Sequence, residues 1–228
     1  PGHFRFSMLG DEMLRLEPRL GYVHKGTEKL FENLSMDDKL KLSERISGDS
    51  SFHHALAYCQ ALEALAGAAV SEKASAHRVV FAELERLANH MNDIAFILSD
   101  TGFAFGGAHG SRLRERFMQW NERLSGSRFL RGVAVPGGVT KGISLEDRDA
   151  LQNDLDALES DFSEVLEVVE ETVSVQNRLR TTGILDRDIA EDHGVVGIAA
   201  RAVGLEMDAR VDFPYALYKD LNFSVPTE

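Results

Sequence analysis

The chain has 228 residues, of which 43% are hydrophobic and 27% charged, so it has the size and composition of one large globular domain or two small ones. Its 25 Lys and Arg against 37 Asp and Glu give a net charge of −12, which argues against a nucleic-acid-binding protein, since such proteins need a concentrated basic face. The single cysteine, Cys59, excludes an internal disulfide and any thiolate-ligated zinc, iron–sulfur or nickel–iron centre built from this chain alone.

The N-terminal segment has the alternation of a β hairpin. Phe4, Phe6 and Met8 fall on one face, residues 9–12 form a turn, and residues 13–17 run back to Pro18. Short helices are predicted over residues 26–33 and 36–44. The small polar stretch at residues 47–51 then predicts a loop.

The body of the chain has helical periodicity. A first helix begins at Phe52 and ends at Gly67, which is suited to a helix C-cap. A second covers residues 72–99, and a third lies around residues 113–124. The core stripe of the second helix is predicted at Val80, Leu84, Leu87, Met91, Ile94 and Leu98.

The second half of the chain is predicted to contain one further long helix. Pro and paired Gly at residues 135–139 indicate a turn, and a helix of about 55 Å then covers residues 145–181. Its apolar face is predicted at Leu151, Leu155, Leu158, Phe162, Val165, Val169 and Val173. A helical turn near residues 188–193 follows. We therefore expect one mainly α domain, a helical bundle with a β element at 1–20, a helical body at 21–182 and an irregular part at 183–228.

The N-terminus has neither the basic start nor the apolar stretch of a signal peptide, and no apolar run reaches the roughly 18 residues that span a bilayer. The chain also begins without Met, which suggests a fragment boundary. With no export signal and one thiol, the cytoplasm is the expected compartment.

Three residues of the second helix are candidates for a functional site. Glu83, Arg86 and His90 share one helix face, where they could orient a buried loop or tune a redox centre. The plainer alternative is a helix-surface ion pair beside a partly buried histidine. Spacing alone leaves both open.

Other polar residues have equally open interpretations. His53 and His54 are adjacent, so on a helix they are not a metal-ligand pair, and one is expected to pack while the other is exposed. His24 either lines a polar site or caps a turn. The loop at 47–51 lacks a phosphate-binding motif and is either a ligand loop or a linker. Asp100 is either a helix-terminating acid or a buried proton carrier.

Several strings, taken in order, resemble the hydrogenase-like large subunits, which include group 4 nickel–iron hydrogenases, formate hydrogenlyase and the quinone-site subunit of complex I. The strings are LEPRLGYVHKGTEKL at 16–30, ERISGDS at 44–50 followed by AYC at 57–59, ELERLANH at 83–90, DTG at 100–102, PGGV at 136–139 and DFPY at 212–215. The resemblance implies a nickel–iron hydrogenase large-subunit-like fold. It covers nearly the whole chain and is closer to the hydrogenase-4 and formate hydrogenlyase side.

The departures from that family pattern decide what the resemblance implies. Hydrogenases of the family read Arg-x-Cys-Gly-x-Cys in the first motif, where Ser47 and Ser50 stand here, and serine is a poor substitute for a thiolate. The second cysteine pair belongs beyond Glu228, where family members continue, which implies a C-terminally truncated chain. Nickel–iron chemistry is therefore not expected, and no metal or cofactor is expected to bind this chain.

The complex I branch has also lost these cysteines and binds quinone in the vacated cavity. Its quinone-contacting tyrosine aligns with Gly48, and its cluster-tuning histidine with Ile97. Lys25 stands where that branch has an arginine, whereas Asp100 matches the family acid.

The resemblance thus implies a metal-free subunit of a membrane-associated, hydrogenase- or complex-I-like oxidoreductase. Asp100 and Glu83 would carry protons, and Lys25 and Arg86 would set the potential of an iron–sulfur cluster in a small partner subunit. The remaining cavity-lining or cluster-facing residues would be His24, Gly48, Asp49 and His90.

Further expected partners are membrane subunits, a quinone and NAD-binding subunits, with a location at the cytoplasmic face of the membrane and no nucleic acid. Alone, the chain is expected to be catalytically silent. The alternative is a degenerate scaffold that serves only complex assembly.

Overall fold

A computed structural model describes residues 2–227 and separates them into two compact units, residues 2–42 and residues 43–227. Two short helices group with the N-terminal hairpin up to residue 42, so this boundary lies later than the end of the β element expected at residue 20. The expectation of one domain stays a prediction. Among the described residues, no helix combines the length and the apolar composition needed to cross a bilayer.

The first unit contains the predicted hairpin. Strands β1 (His3–Leu9) and β2 (Glu12–Arg19) pair antiparallel, with Phe6 opposite Leu16. Gly10 adopts a φ of 61° in the turn, a conformation that glycine reaches without strain. Helices α1 (Thr27–Asn33) and α2 (Met36–Ser43) follow at the predicted places.

The second unit is built on four long helices and several short elements. They are α3 (Ser51–Ala66), α4 (Glu72–Asp100), α5 (Ala104–Ser125), β3 (Ala134–Val135), β4 (Gly138–Val139), α6 (Leu145–Glu171), α7 (Val173–Leu179), α8 (Arg187–Asp192), α9 (Gly197–Arg201), α10 (Ala209–Asp212) and a 3₁₀ turn at Tyr218–Asp220. The described chain is thus mainly α with an N-terminal hairpin, and the fold class expected from the sequence is confirmed. The predicted turn at 135–139 joins two short strands that the sequence did not indicate.

The predicted helix over 145–181 is wrong in its length, because the chain leaves helical geometry at Thr172. That residue has φ −80° and ψ 99°, and its hydroxyl donates to Val168 O at 2.6 Å. Val173, predicted in the core, is consequently 70% exposed.

Helix α5 begins at Ala104, nine residues before the start that the apolar periodicity predicts. Its first turns are rich in glycine, which adds no apolar side chain to such a pattern. A Cβ added at Gly110 would lie 2.8 Å from the Cβ and 3.0 Å from the Cα of Ala95 on α4. One added at Gly107 would lie 3.2 Å from the Ala95 carbonyl oxygen. The glycines therefore allow α4 and α5 to approach at backbone distance.

The core lies where α3, α4 and α5 meet. Phe52 and Phe81 are fully buried with ring centroids 5.8 Å apart, and Cys59 is also fully buried. Burial raises the pKa of the Cys59 thiol to about 11, so this thiol is protonated at neutral pH. Of the predicted α4 stripe, Leu84, Met91 and Leu98 are buried and Val80, Leu87 and Ile94 are half-buried.

A buried arginine ties three elements of this core together. Arg78 on α4 forms a two-pronged ion pair with Glu63 on α3, at 2.6 and 2.9 Å. It also donates to Val135 O at 2.9 Å and to Gly138 O at 3.1 Å, while Gly137 N donates to Glu63 at 2.7 Å. The β3–β4 hairpin is therefore held against α3 and α4 by charge-assisted hydrogen bonds.

We expect Arg78→Met to lower the free energy of unfolding by about 3–5 kcal/mol, because Glu63 would remain buried without a counter-ion. Urea unfolding followed by circular dichroism measures this loss. Arg148→Met, which breaks an exposed pair with Asp149, is the matched control and should change stability little. Equal losses in the two variants would contradict the role given to Arg78.

We expect Gly110→Ala to destabilise the protein by about 1–2 kcal/mol, because overpacking against the Ala95 backbone outweighs the better helix propensity of alanine. Gly106→Ala is the control, since its Cβ would meet the movable side chains of Leu98 and Phe103. Thermal unfolding of both variants tests this, and a loss confined to Gly106→Ala would refute it.

Candidate functional site

The loop at residues 47–51 is ordered by its own short polar side chains. Ser47 Oγ donates to Asp49 Oδ1 at 2.6 Å, and Ser51 Oγ donates to the Gly48 carbonyl at 3.0 Å. The hydrogen bond from Ser47 is the main cause that lowers the pKa of Asp49. Asp49 is therefore ionised at neutral pH.

Helix α4 holds this loop and the start of α3 in place. The Glu85 carboxylate, with a side chain only 5% exposed, accepts hydrogen bonds from Phe52 N at 2.7 Å and His53 N at 2.9 Å. Asn89, one turn further along α4, donates to the Asp49 carbonyl at 2.9 Å. A carboxylate from another helix thus satisfies the free N–H groups of the first turn of α3, which is the role of an N-cap side chain.

His53 joins this loop support to Arg86. Its Nδ1 lies 2.5 Å from Glu85 Oε2, and its Nε2 lies 3.3 Å from Arg86 Nη2. Because a guanidinium only donates, Nε2 must accept, and Nδ1 must carry the proton that is donated to Glu85. The two contacts therefore fit a ring orientation in which Nδ1 faces Glu85 and Nε2 faces Arg86.

Glu83 and Arg86 form the predicted pair, with Arg86 Nε 3.2 Å from Glu83 Oε2, but the pair is not a simple surface contact. Glu83 also lies 3.3 Å from Arg210 Nη1 and accepts the Tyr218 hydroxyl. Burial, the largest influence, opposes ionisation of Glu83. The Tyr218 hydrogen bond and the two arginines together outweigh it and lower the pKa of Glu83.

The C-terminal segment is anchored at this point. Arg210 donates to Asp208 from Nε at 2.9 Å and from Nη2 at 2.8 Å, and this lowers the pKa of Asp208 to about 2. Arg210 also lies over the Phe223 ring at 5.0 Å, and the Tyr215 and Tyr218 rings meet edge to face at 4.7 Å. The segment from 208 to 223 therefore contacts α4 through the Arg210 and Tyr218 bonds to Glu83, while its aromatic side chains pack within the segment.

The other predicted residues lie elsewhere or have simpler roles. His90 is half-buried, and burial is the main cause that lowers its pKa. Asp100 is exposed at the end of α4, about 25 Å along the helix from Glu83, so α4 does not bring these two carboxylates together. His24 Nδ1 accepts a hydrogen bond from Gly26 N at 3.1 Å. This contact fits the alternative in which His24 caps a turn.

His24 and Lys25 belong to the first compact unit and the remaining candidates to the second, so a shared cavity stays a prediction. His53 and His54 are both half-buried, whereas the sequence predicted one packed and one exposed. Glu85, His53, Arg210 and Tyr218 were missed. Glu85 could have been found, since it falls four residues after the buried Phe81 on a face where an acid needs a partner.

The donor set of the loop does not fit a nickel–iron centre. Ser47 and Ser50 offer neutral hydroxyls, and the Ser47 hydroxyl is used by Asp49. Within residues 2–227, no group of three or more His, Cys, Asp or Glu side chains is arranged to hold a metal ion. A cavity of about 660 Å³ lies between α4 and α6, and its lining contains none of the candidate site residues.

Comparison with known proteins identifies relatives over most of the chain. The chain is 32% identical to formate hydrogenlyase subunit 5 of Escherichia coli, in a match that covers the full chain and 40% of the relative. It is also 32% identical to NADH-quinone oxidoreductase subunit 4 of Thermus thermophilus, over 96% of the chain and 54% of the relative. It is 33% identical to hydrogenase-4 component G of Escherichia coli over 97% of the chain and 37% of the relative. The chain thus spans between 37% and 54% of the length of these relatives.

A solved structure has a fold similar to that of this chain. A chain of the membrane-bound sulfane sulfur reductase, described as an archaeal respiratory membrane complex, superposes with a TM-score of 0.91 at 27% identity, over 98% of this chain and 60% of that one. Residues 100–228 match the family of the respiratory-chain NADH dehydrogenase 49 kDa subunit. This chain therefore belongs to the complex I 49 kDa and hydrogenase-like large-subunit family, as the motifs indicated.

Proposed function

We propose that the chain is a subunit of a membrane-associated respiratory oxidoreductase, in which it supports electron transfer to a quinone or a proton-coupled site. The relatives named as subunits of NADH-quinone oxidoreductases and hydrogenases support this role. An iron–sulfur cluster in a small partner subunit would deliver the electrons, and membrane subunits would attach the chain to the cytoplasmic face.

One observation carries the proposal. The loop at 47–51, which would present two thiolates in a hydrogenase, is still pinned to α4 by Glu85 and Asn89, although its ligand positions are serines. A retained frame with hydroxyl and carboxylate groups favours a polar organic ligand or a proton acceptor over a transition metal. The reaction is therefore not one of nickel–iron chemistry.

The residues have distinct parts in this proposal. Asp49 and Ser47 form a hydrogen-bonding rim beside Gly48, and Arg131 Nη2 lies 3.9 Å from where a Gly48 Cβ would be. Glu83 acts as an anchor of the C-terminal segment and not as a proton carrier, because its lowered pKa and its three donors keep it ionised. This assignment replaces the proton role that the sequence gave to Glu83.

The scaffold alternative has one observation in its favour. Glu83 is held as an ion and Asp100 lies at the far end of α4, so the two expected proton carriers do not form one relay within that helix. In that case the subunit would serve assembly alone.

We expect Gly48→Tyr to strengthen binding of a quinone analogue by about 3- to 10-fold, because it restores the aromatic headgroup contact of the complex I branch. Gly48 tolerates a side chain, since an added Cβ meets only Arg131 at van der Waals distance. Titration of decylubiquinone against the complex purified with its iron–sulfur partner measures the effect.

Gly48→Phe is the matched control and should recover the stacking part of the gain without the hydroxyl hydrogen bond. If decylubiquinone binds neither the native complex nor Gly48→Tyr, the quinone proposal is wrong and the scaffold alternative holds. Stoichiometric nickel in the purified complex, measured by mass spectrometry and lost on Ser47→Ala, would contradict both.

We expect Tyr218→Phe to lower the free energy of unfolding by about 1.5–3 kcal/mol at pH 7, since it removes a donor from an ionised, half-buried carboxylate. Because the folded pKa of Glu83 is lowered, its contribution is fully present above its unfolded pKa and is lost as pH falls through the folded value. The difference between wild type and variant should therefore shrink below about pH 5. Urea unfolding at several pH values tests this against Tyr22→Phe, which removes an exposed hydroxyl.

A further inference from the structure

A cleft of about 360 Å³ opens between α4 and the C-terminal elements of the second unit. The charged residues of its lining are Arg86, Arg201, Arg210, Asp208 and Asp212. Three guanidinium groups and two carboxylates line the cleft, and Glu83, which pairs with Arg86 and Arg210, balances the charge. The cleft is therefore close to neutral, although the chain as a whole carries −12.

Hydrogen bonds occupy both oxygens of Asp208 and one oxygen of Asp212. Asp208 Oδ1 accepts from Arg210 N and Nε, both at 2.9 Å, and its Oδ2 accepts from Arg210 Nη2 at 2.8 Å. Asp212 Oδ2 accepts from Asp208 N at 3.0 Å. Glu83, behind the cleft, is shared by Arg86, Arg210 and Tyr218. Asp208 therefore has little acceptor capacity left for a cationic ligand, whereas Asp212 Oδ1 accepts no hydrogen bond within residues 2–227.

The arginines, in contrast, keep unused donors. Arg201 donates only from Nη1, to Met207 O at 3.3 Å with Asp208 at 3.7 Å, and its Nε and Nη2 have no hydrogen-bond partner in the part of the chain described. Arg86 uses Nε and Nη2, and its Nη1 has no partner within residues 2–227. A guanidinium has five N–H donors, so the cleft is rich in donors.

The rim of the cleft is apolar and open to solvent. Phe213 is 80% exposed, Val196 66% and Met207 42%, and all three line the cleft. An inorganic ion would make no apolar contact with this rim, whereas a ligand with an apolar body would cover it. A concave site with a few convergent polar groups and an apolar wall is the usual form of a small-molecule pocket.

We propose that this cleft binds a small organic oxyanion, with a carboxylate or phosphate held by Arg86 and Arg201 and an aromatic or alkyl body packed on Phe213. Planar guanidinium donors match such oxyanions in geometry and in charge. The site is distinct from the proposed quinone site, because its lining includes no residue of the loop at 47–51, although Arg86 is shared with the residues expected to face the iron–sulfur cluster.

The test is a titration of the intact chain with benzoate, benzamide and inorganic phosphate at constant ionic strength, followed by calorimetry and by arginine side-chain NMR. We expect benzoate to bind, phosphate to bind more weakly, and the uncharged benzamide not to bind. The side-chain signals of Arg86 and Arg201 should shift on binding.

Substitutions separate the two parts of the site. Arg201→Gln should weaken both anions by about tenfold or more, and Arg201→Lys by less, since it keeps the charge without the planar fork. Phe213→Ala should weaken the binding of benzoate and leave the binding of phosphate unchanged. Because the Phe213 side chain is exposed, its removal should not unfold the protein. Arg187→Gln, which breaks an exposed pair with Glu191 outside the cleft, is the control and should have no effect.

Failure of benzoate to bind the folded native chain would overturn the proposal, as would equal binding of benzoate and benzamide. Equal affinity for benzoate and phosphate, unchanged by Phe213→Ala, would overturn the apolar part of the site. Circular dichroism of each variant ensures that a lost signal comes from a folded protein.

Discussion

The buried carboxylate of Glu85 is the interaction on which the site depends. It accepts from three donors of α3, namely Phe52 N, His53 N and the His53 ring, and so fixes the start of that helix against α4. A buried charge without these donors would cost several kcal/mol, so the loop before α3 has one stable position. The same contact orients the His53 ring, whose other nitrogen lies 3.3 Å from Arg86 Nη2.

Arg86 also connects this part of the chain, through its contact with Glu83, to residues more than a hundred positions away. Arg86 pairs with Glu83, and Glu83 in turn holds Arg210 and Tyr218 of the C-terminal segment. Arg86 has no removable proton at physiological pH, so it separates the His53–Glu85 pair from the Tyr218–Glu83 pair. The network is therefore suited to holding elements in place and not to conducting protons along its length.

Ser47 and Ser50, which the resemblance places at cysteine positions of hydrogenases, lie in a loop that this frame supports. In an unsupported loop, two serines would be compatible with simple decay of a former metal site. Here the loop keeps its tertiary supports, Glu85 and Asn89, while its own side chains bond among themselves. The support of the loop therefore does not depend on thiolates at positions 47 and 50, and a fold by itself does not fix the chemistry of its site.

The sequence by itself determined the helical periods, the hairpin alternation, the Gly67 cap and the absence of thiolate ligands, because each depends on residues that are neighbours along the chain. The family resemblance likewise came from local strings. Only the tertiary structure decided that Glu85 and His53 support the loop, that Arg78 is buried on Glu63, and that Glu83 meets Tyr218. Those pairings join residues 15 to 135 positions apart, and helical spacing carries no information about which distant carboxylate will meet which donor. Thr172 shows the same limit within a helix, since its backbone leaves helical geometry although the apolar periodicity continues through the sequence.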